Sequence, residues 1–278
     1  MFDHPTLESA LTGTIYAGKL HFSPTTGSTN TDALEAARSG APHGSVYFAD
    51  EQLAGRGRGD HGWHSAAGQG LYVSVLLRPS IRANRLALLP LAAGLAAAEA
   101  IRTTARLTVD LRWPNDLLIG PRKVGGILVE AKVEAKVEAK TESSAVAYAV
   151  VGIGINVHQR AFPVDVSTPA TSIDIEAATP ASRQTLLIEL LKSLQRETLE
   201  LLDPAATQTI PRRVQQASSW VCGRSVQVHG PQACNGVTAG LDENGFLLVR
   251  TATGLETVQT GGLRAAENEP PMKTNQQI

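Results

Sequence analysis

The sequence predicts an α+β fold in which a β-sheet flanked by helices is followed by a small C-terminal β-barrel. Three observations predict it. Apolar runs of strand length alternate with helical stretches over residues 1–219. After Trp220 the texture changes to four short strand candidates separated by turn residues. The chain has 278 residues, 42% hydrophobic and 18% charged, enough for one large core with a small satellite.

In chain order, Gly18–Phe22 is a weak strand candidate. Ser28-Thr29-Asn30-Thr31 opens a helix, with Thr29 as the expected cap and Asp32 as its reciprocal acid. Ala33, Leu34, Ala36 and Ala37 carry that helix, and Gly40 and Pro42 end it. Val46–Phe48 and Leu71–Leu77 are strands, the second apolar nearly throughout and therefore buried. Arg85–Thr104 is a helix in which Pro90 marks the start or a bend. Val109–Arg112 is a strand running into Trp113-Pro114-Asn115-Asp116, and a Gly120-Pro121 turn follows. Lys123–Val129 and Tyr148–Val157 are two further strands.

Between those two strands, Val129–Lys140 is three copies of Val-Glu-Ala-Lys. Apolar and charged residues alternate with the strand period. As a helix it would stack Glu on Glu and Lys on Lys at i,i+4. An extended, exposed hairpin arm is expected, and a repeat expansion without function accounts for it. Gln184–Leu202 is an amphipathic helix with Leu187, Leu190, Leu191, Leu194, Thr198 and Leu201 on one face. Then come Ser225–His229, Gly236–Leu241, Phe246–Arg250 and Leu255–Thr260, with Glu243-Asn244-Gly245 as one of the turns. Residues 220–267 are read as the barrel and 268–278 as a disordered tail.

The net charge is −1, so no global basic field invites nucleic acid, and phosphate chemistry must rest on local charge. No basic segment followed by an apolar run opens the chain, so no signal peptide is expected. Leu86–Ala98 is too short to span a bilayer. Two cysteines, Cys222 and Cys234, make neither a disulfide scaffold nor a metal framework, and a cytoplasmic location is expected.

Several short segments could carry chemistry. Gly55-Arg56-Gly57-Arg58-Gly59 directly follows a strand. Its glycines let amides approach an anion, and its arginines supply forked donors. Alone it fits a phosphate cradle or a plain surface loop equally well. Gly57–Gly62 also matches a dinucleotide-binding pattern, but no helix signal follows and Asp60 would face the pyrophosphate. Trp63, just beyond, could stack on a purine or lie in the core. Asp116 could hold Mg²⁺ on nucleotide phosphates or could cap a turn. Lys123, close to Gly125-Gly126, could meet first a carboxylate and then an acyl phosphate, or could be a solvated surface lysine. Gly152-Ile153-Gly154-Ile155-Asn156 breaks an apolar strand, as at a bulge or where a ligand comes close, and Asn156 could hydrogen-bond that ligand.

The order of these segments is more specific than any one of them. Ser28-Thr29-Asn30, Glu51–Arg58, Arg112–Asp116, Lys123–Glu130 and Gly152–Asn156 resemble the successive motifs of bacterial biotin–protein ligases. The resemblance covers nearly the whole chain. It implies a mixed-sheet catalytic domain of the class II synthetase-like, biotin/lipoate ligase type over residues 1–219, and an SH3-like C-terminal domain.

The resemblance also implies the reaction. Biotin and ATP give biotinyl-5′-AMP and pyrophosphate, and a lysine of the biotin carboxyl carrier protein of acetyl-CoA carboxylase then displaces AMP. Lys123, Arg56 and Arg58 would be catalytic. Ser28, Thr29, Asn30, Gln52, Gly57 and Gly125, with those three cations, would bind biotin. Trp63, Asn115, Asp116 and Asn156, again with Arg56, Arg58 and Lys123, would serve the adenylate, with Trp63 on the adenine and Asp116 on Mg²⁺. Only 27 residues precede Ser28, too few for a helix-turn-helix unit, so a monofunctional enzyme without DNA or membrane binding is expected, as monomer or homodimer. The chain departs from the family at Gly59-Asp60-His61-Gly62, where more Arg and Gly are usual, at Gly261-Gly262-Leu263-Arg264, and in the Val-Glu-Ala-Lys insert.

Overall fold

The computed structural model describes residues 2–59, 61–138, 141–163, 168–203 and 209–266. Two sheets organise the chain. The first has seven strands: β1 (Leu20–Thr26), β2 (Ser45–Gln52), β3 (Gly70–Leu77), β4 (Asp110–Arg112), β5 (Asp116–Ile119), β6 (Arg122–Glu138) and β7 (Thr141–Asn156). Their order is β1-β2-β3-β7-β6-β5-β4. Only β1 and β2 run parallel, so the sheet is mixed, as expected.

Helices cover both faces. On one lies α2 (Thr29–Arg38), whose Ala33 and Ala37 pack with Leu76, Tyr148 and Val150. On the other lie α3 (Leu88–Ala105) and α5 (Arg183–Leu202), packed together over Val73, Val75, Ile127, Val151, Ile153 and Ile155. The alanine-rich composition of α3 allows this close approach, and Pro90 sits in its first turn, where a missing N–H is tolerated. The helix is apolar enough by length and composition to pass for a membrane span, but here it is the central core helix. Thr198, placed on the apolar face of α5, is buried and bonds back to the Leu194 carbonyl.

The remaining helices are α1 (His4–Ala10), α4 (Ile173–Glu176) and α6 (Thr209–Gln216). These three are four to eight residues long, which gives too little periodicity to read. Strand β5 was also unforeseen, because the Asn115 turn places only three residues before it.

The second sheet is antiparallel and holds five strands, β8 (Cys222–His229), β9 (Cys234–Leu241), β10 (Leu247–Thr251), β11 (Gly254–Val258) and β12 (Gly262–Ala265), in the order β11-β10-β9-β8-β12. Sequence reading missed the fifth strand, Gly262–Ala265, which has few β-formers. The buried Val226, Val228, Leu247 and Val249 are continuous with the main core through Trp220 and Val221. Trp113 adds a tie: its indole N–H donates to the Gly245 carbonyl at 3.1 Å. Gly245 has φ +82°, and a Cβ there would lie 2.7 Å from Leu91 Cδ1, so only glycine fits this seam. The expected tail, 268–278, lies outside the described residues.

The hairpin arm is present. Strands β6 and β7 stay paired from Gly125↔Ile155 out to Glu138↔Thr141, with one register shift beyond Lys132. Lys132, Val133 and Glu134 are exposed on it. Ala139 and Lys140, which complete the third repeat, lie outside the described residues.

One local expectation is corrected. The N-cap of α2 is Ser28, not Thr29, and no side chain makes a capping bond. The Thr29 hydroxyl instead contacts Gln52 Oε1 and Ser74 Oγ, and Asp32 accepts from Thr26 Oγ1 at 2.7 Å. Both candidate capping groups are engaged by tertiary partners, which local sequence rules do not see.

Candidate active site

A cleft of about 470 Å³ opens at the start of α2, over β3, β7 and β6. Its floor follows from strand alternation. Along β7, Val151, Ile153 and Ile155 point into the core, so Gly152 and Gly154 point to the cleft. Their register partners Ser74 and Leu128, and Tyr72 and Gly126, share that face. The floor is therefore largely bare backbone. Trp63 uses it: a Cβ on Gly154 would lie 2.6 Å from the indole, and one on Gly126 3.3 Å from it. A Cβ on Gly152 would lie 2.1 Å from Asn30 Oδ1.

The glycine–arginine loop forms one wall as a narrow excursion of the chain. Gln52 bridges to Ser65 and Arg56 to Gly62, and the Gly57 amide donates to the His61 carbonyl at 2.7 Å. Gly55 is pressed against this crossing; a Cβ there would sit 2.4 Å from the Trp63 carbonyl oxygen. Asp60 lies outside the described residues.

At one end of the cleft the side chains form a continuous polar string. Gln52 Nε2 donates to Ser65 Oγ at 2.8 Å, and its Oε1 accepts the Thr29 amide at 2.9 Å. The hydroxyls of Thr29 and Ser74 lie 2.8 Å apart. Ser74 donates to Asn30 Oδ1 at 2.7 Å, and Asn30 Nδ2 donates to Glu130 at 2.9 Å. Glu130 also takes Arg56 at 2.7 Å. Apart from the Arg56–Glu130 pair that closes it, the string is neutral, and donors and acceptors held this way suit a ligand with a polar, uncharged head.

The other end is cationic. Lys123 Nζ lies 2.5 Å from Asp116 Oδ1, and Arg112 Nη2 lies 2.6 Å from Asp116 Oδ2. Burial pushes the Asp116 carboxyl up, but the charges of Lys123 and Arg112 outweigh it and hold the group below the usual carboxylate value. Lys123 also stands 5.5 Å above the Trp63 ring. A register shift between β5 and β6 just beyond Lys123 turns its side chain, and its backbone is clasped by Pro169 and Thr171. Arg58 reaches across to the second sheet, donating to Thr260 Oγ1 at 2.5 Å and to the Gly261 carbonyl. Burial holds the Arg58 guanidinium below its ordinary value, against the opposing charge of Asp116. Among the described residues, four cations, Arg56, Arg58, Arg112 and Lys123, stand against two carboxylates, Asp116 and Glu130, a balance that favours anions.

Ser28, Thr29, Asn30, Gln52, Arg56 and Gly57 line this cleft, as do Arg58, Trp63, Asn115 and Lys123. Three expected site residues do not. Gly125 packs behind the floor, where a Cβ would lie 2.8 Å from the Gly154 carbonyl oxygen. Asn156 is buried, its amide donating to Thr171 O at 2.9 Å and accepting from Gln159 at 3.2 Å. Asp116 sits behind Lys123. Its two oxygens are spent on Lys123 and Arg112, and among the described residues no three His, Cys, Asp or Glu side chains cluster for a metal. This donor set does not fit a protein-held Mg²⁺.

Sequence reading missed Ser74, Tyr72 and Glu130. Ser74 left a signal, being a hydroxyl in the middle of the apolar run Leu71–Leu77. Glu130 closes the Lys123–Glu130 segment but was given no role, being also the glutamate of the first Val-Glu-Ala-Lys unit.

Comparison with known proteins gives a consistent picture. Residues 22–156 match the model of the biotin/lipoate A/B protein ligase family. The biotin–[acetyl-CoA-carboxylase] ligase of Mycobacterium tuberculosis is 33% identical over 230 residues, 80% of this chain and 79% of that protein. The bifunctional ligase/repressor BirA of Bacillus subtilis is 29% identical over 239 residues, 85% of this chain and 70% of that protein. The biotin protein ligase of Aquifex aeolicus, solved in complex with biotin and ATP, superposes with a TM-score of 0.74 at 28% identity, covering 90% of this chain and all of that one.

Proposed function

The chain belongs to the biotin protein ligase family, and on that premise we propose that its cleft joins biotin to AMP and passes the biotinyl group to a lysine of a carrier protein. The observation that carries this reading is the polarity of the cleft. A neutral hydrogen-bonding string lies at one end, a cluster of cations at the other, and a bare backbone floor between them.

Ser28, Thr29, Asn30 and Gln52 take the ureido head of biotin, whose carbonyl and two N–H groups need both donors and acceptors. Beyond the head, Trp63 rests on the glycine floor. The carboxylate tail then points to Lys123, Arg56 and Arg58. Biotin's carboxylate oxygen attacks the α-phosphorus of ATP, the bond to the β-phosphate oxygen breaks, and pyrophosphate leaves. Two anions must approach for this, and the three cations offset their repulsion as negative charge builds on the α-phosphoryl oxygens. Gly57 lets the loop close on itself, since its amide is bonded to the His61 carbonyl and a Cβ there would lie 3.0 Å from that oxygen. In the second step the carrier's lysine amine attacks the biotinyl carbonyl carbon and AMP departs.

Trp63 and Asn115, both on the cleft wall, serve the nucleotide end, while Asn156 braces the Thr171 segment behind it. Mg²⁺ would come as part of the ATP substrate, and among the described residues no carboxylate is assigned to it. The acceptor fits the biotin carboxyl carrier protein of acetyl-CoA carboxylase, the substrate in the names of two relatives. A cytoplasmic setting suits the unpaired Cys222 and Cys234.

The test is ATP-dependent transfer of biotin to a purified carrier domain, followed by mass, with pyrophosphate release measured in parallel. A mass gain equal to biotin minus water on the carrier lysine is expected. Labelling with lipoate but not biotin would overturn the substrate assignment.

A further inference from the structure

Glu130 lies outside the roles assigned above. It stands on β6 opposite Val150, on the cleft face of the sheet, beyond the edge of the cleft itself. Its two oxygens are divided: Oε1 takes Arg56 Nη2 at 2.7 Å and Oε2 takes Asn30 Nδ2 at 2.9 Å. Among the described residues it joins the glycine–arginine loop to the start of α2.

Both partners are donors. Arg56 has no acceptor to offer, and the Asn30 amide presents its NH2 because its oxygen already accepts from Ser74. A group at position 130 must therefore accept at each of its two terminal atoms, which a carboxylate does and an amide, with one oxygen and one NH2, does not. The consequence runs down the string. With the Asn30 NH2 held on Glu130, Asn30 Oδ1 must accept, so Ser74 must donate to it. Ser74 Oγ, its proton committed, can then only accept from Thr29, whose single hydroxyl proton also faces Gln52 Oε1 at 3.1 Å. One carboxylate thus fixes the donor and acceptor pattern of Asn30 and Ser74 and leaves Ser74 open to the Thr29 hydroxyl.

On the reading that this end of the cleft takes the biotin head, we infer that Glu130 is a positioning residue for biotin recognition. It acts through Asn30, Ser74 and Thr29 without touching the ligand, and it anchors Arg56 over the same site. Gly152 belongs to the device, since a Cβ there would occupy the place of Asn30 Oδ1.

The experiment is a double-mutant cycle on the full chain, read as the biotin dissociation constant by calorimetry without ATP. Wild type, Glu130→Gln, Ser74→Ala and the double variant are compared, with melting temperatures taken alongside. Glu130→Gln keeps the shape but turns one oxygen into a donor facing a donor. It is expected to weaken biotin binding about tenfold or more, the usual scale for a lost bond to a charged group. Ser74→Ala should weaken it as well, and the double variant should resemble the worse single one, because both cut one string. Glu130→Gln binding biotin as wild type does, or effects that multiply independently, would overturn the inference. A variant that only melts earlier while binding normally would make Glu130 a structural residue. If wild type itself failed to bind biotin, the proposed function would fall instead.

Discussion

Lys123 Nζ lies 2.5 Å from Asp116 Oδ1, and the opposite oxygen of the same carboxylate holds Arg112. Asp116 thus aims a cation into the cleft from behind. Asp116→Asn should cost about 3 kcal/mol at neutral pH, at the low end for a broken buried pair because the Lys123 side chain is 28% exposed and can turn to water. The pH dependence has a definite sign. The folded carboxyl titrates below its ordinary value, so its contribution is complete above that value, roughly pH 4, and is lost as pH falls through the lower, folded one. Melting curves should show wild type and variant separated at pH 7 and converging only in strong acid. A separation that widened toward acid would contradict this.

Removing the cation itself is a stronger change. Lys123→Ala should lower pyrophosphate release by about 10²-fold or more, the scale for losing one preorganised charge donor. Biotin-dependent ATP–pyrophosphate exchange measures it, and unchanged exchange would remove Lys123 from the chemistry.

Arg58 connects the loop to the second sheet through Thr260 and Gly261. Arg58→Gly should leave the adenylate able to form but release it about tenfold to a hundredfold faster, since two bonds to a charged group are lost. Stopped-flow release of biotinyl-AMP gives the rate, and labelling of unrelated lysines should rise with it. An unaltered off-rate would mean that the tie does not hold the loop closed.

The floor offers a different kind of test. Gly154→Ala places a methyl group 2.6 Å from the Trp63 ring. Trp63 must lift, and binding should weaken by about 1–3 kcal/mol as in other overpacked sites. Tryptophan fluorescence should shift in the ligand-free variant. An unshifted spectrum with normal affinity would show that Trp63 does not rest on this strip.

The arm should be dispensable. Glu134 and Ala145 are paired across it, so residues 135–144 can be replaced by Asn-Gly, a two-residue turn suited to a hairpin. Activity within about twofold of wild type and little change in melting temperature are expected, because Val133 and Val146 keep the base of the ribbon. A tenfold loss of carrier labelling with normal adenylate formation would give the arm a role.

How much of this was legible beforehand varied with distance along the chain. Helices α3 and α5 and the strand Leu71–Leu77 were readable because their periodicity runs for several turns or a full strand. The glycine–arginine loop and Lys123 could be singled out from the sequence, and the fold brings them to one cleft. What stayed hidden was partnership. Nothing local says that the Thr29 hydroxyl meets Ser74, 45 residues on, or that Glu130 answers Asn30 across 100 residues. The Asp116 carboxylate looked like a metal ligand because its neighbours in sequence do not reveal Lys123 and Arg112 closing on it in space.

The alternation along β7 has a further consequence. Its core face and its cleft face are written in the same six residues, Val150–Ile155. A slip of one residue would push valine and isoleucine into the places of Trp63 and Asn30 and glycine into the core at once. The registry that seals the interior is also the registry that clears the binding floor. Quality control of the fold is thereby quality control of the enzyme, and a chain that has packed its centre correctly has no separate way to misassemble its floor.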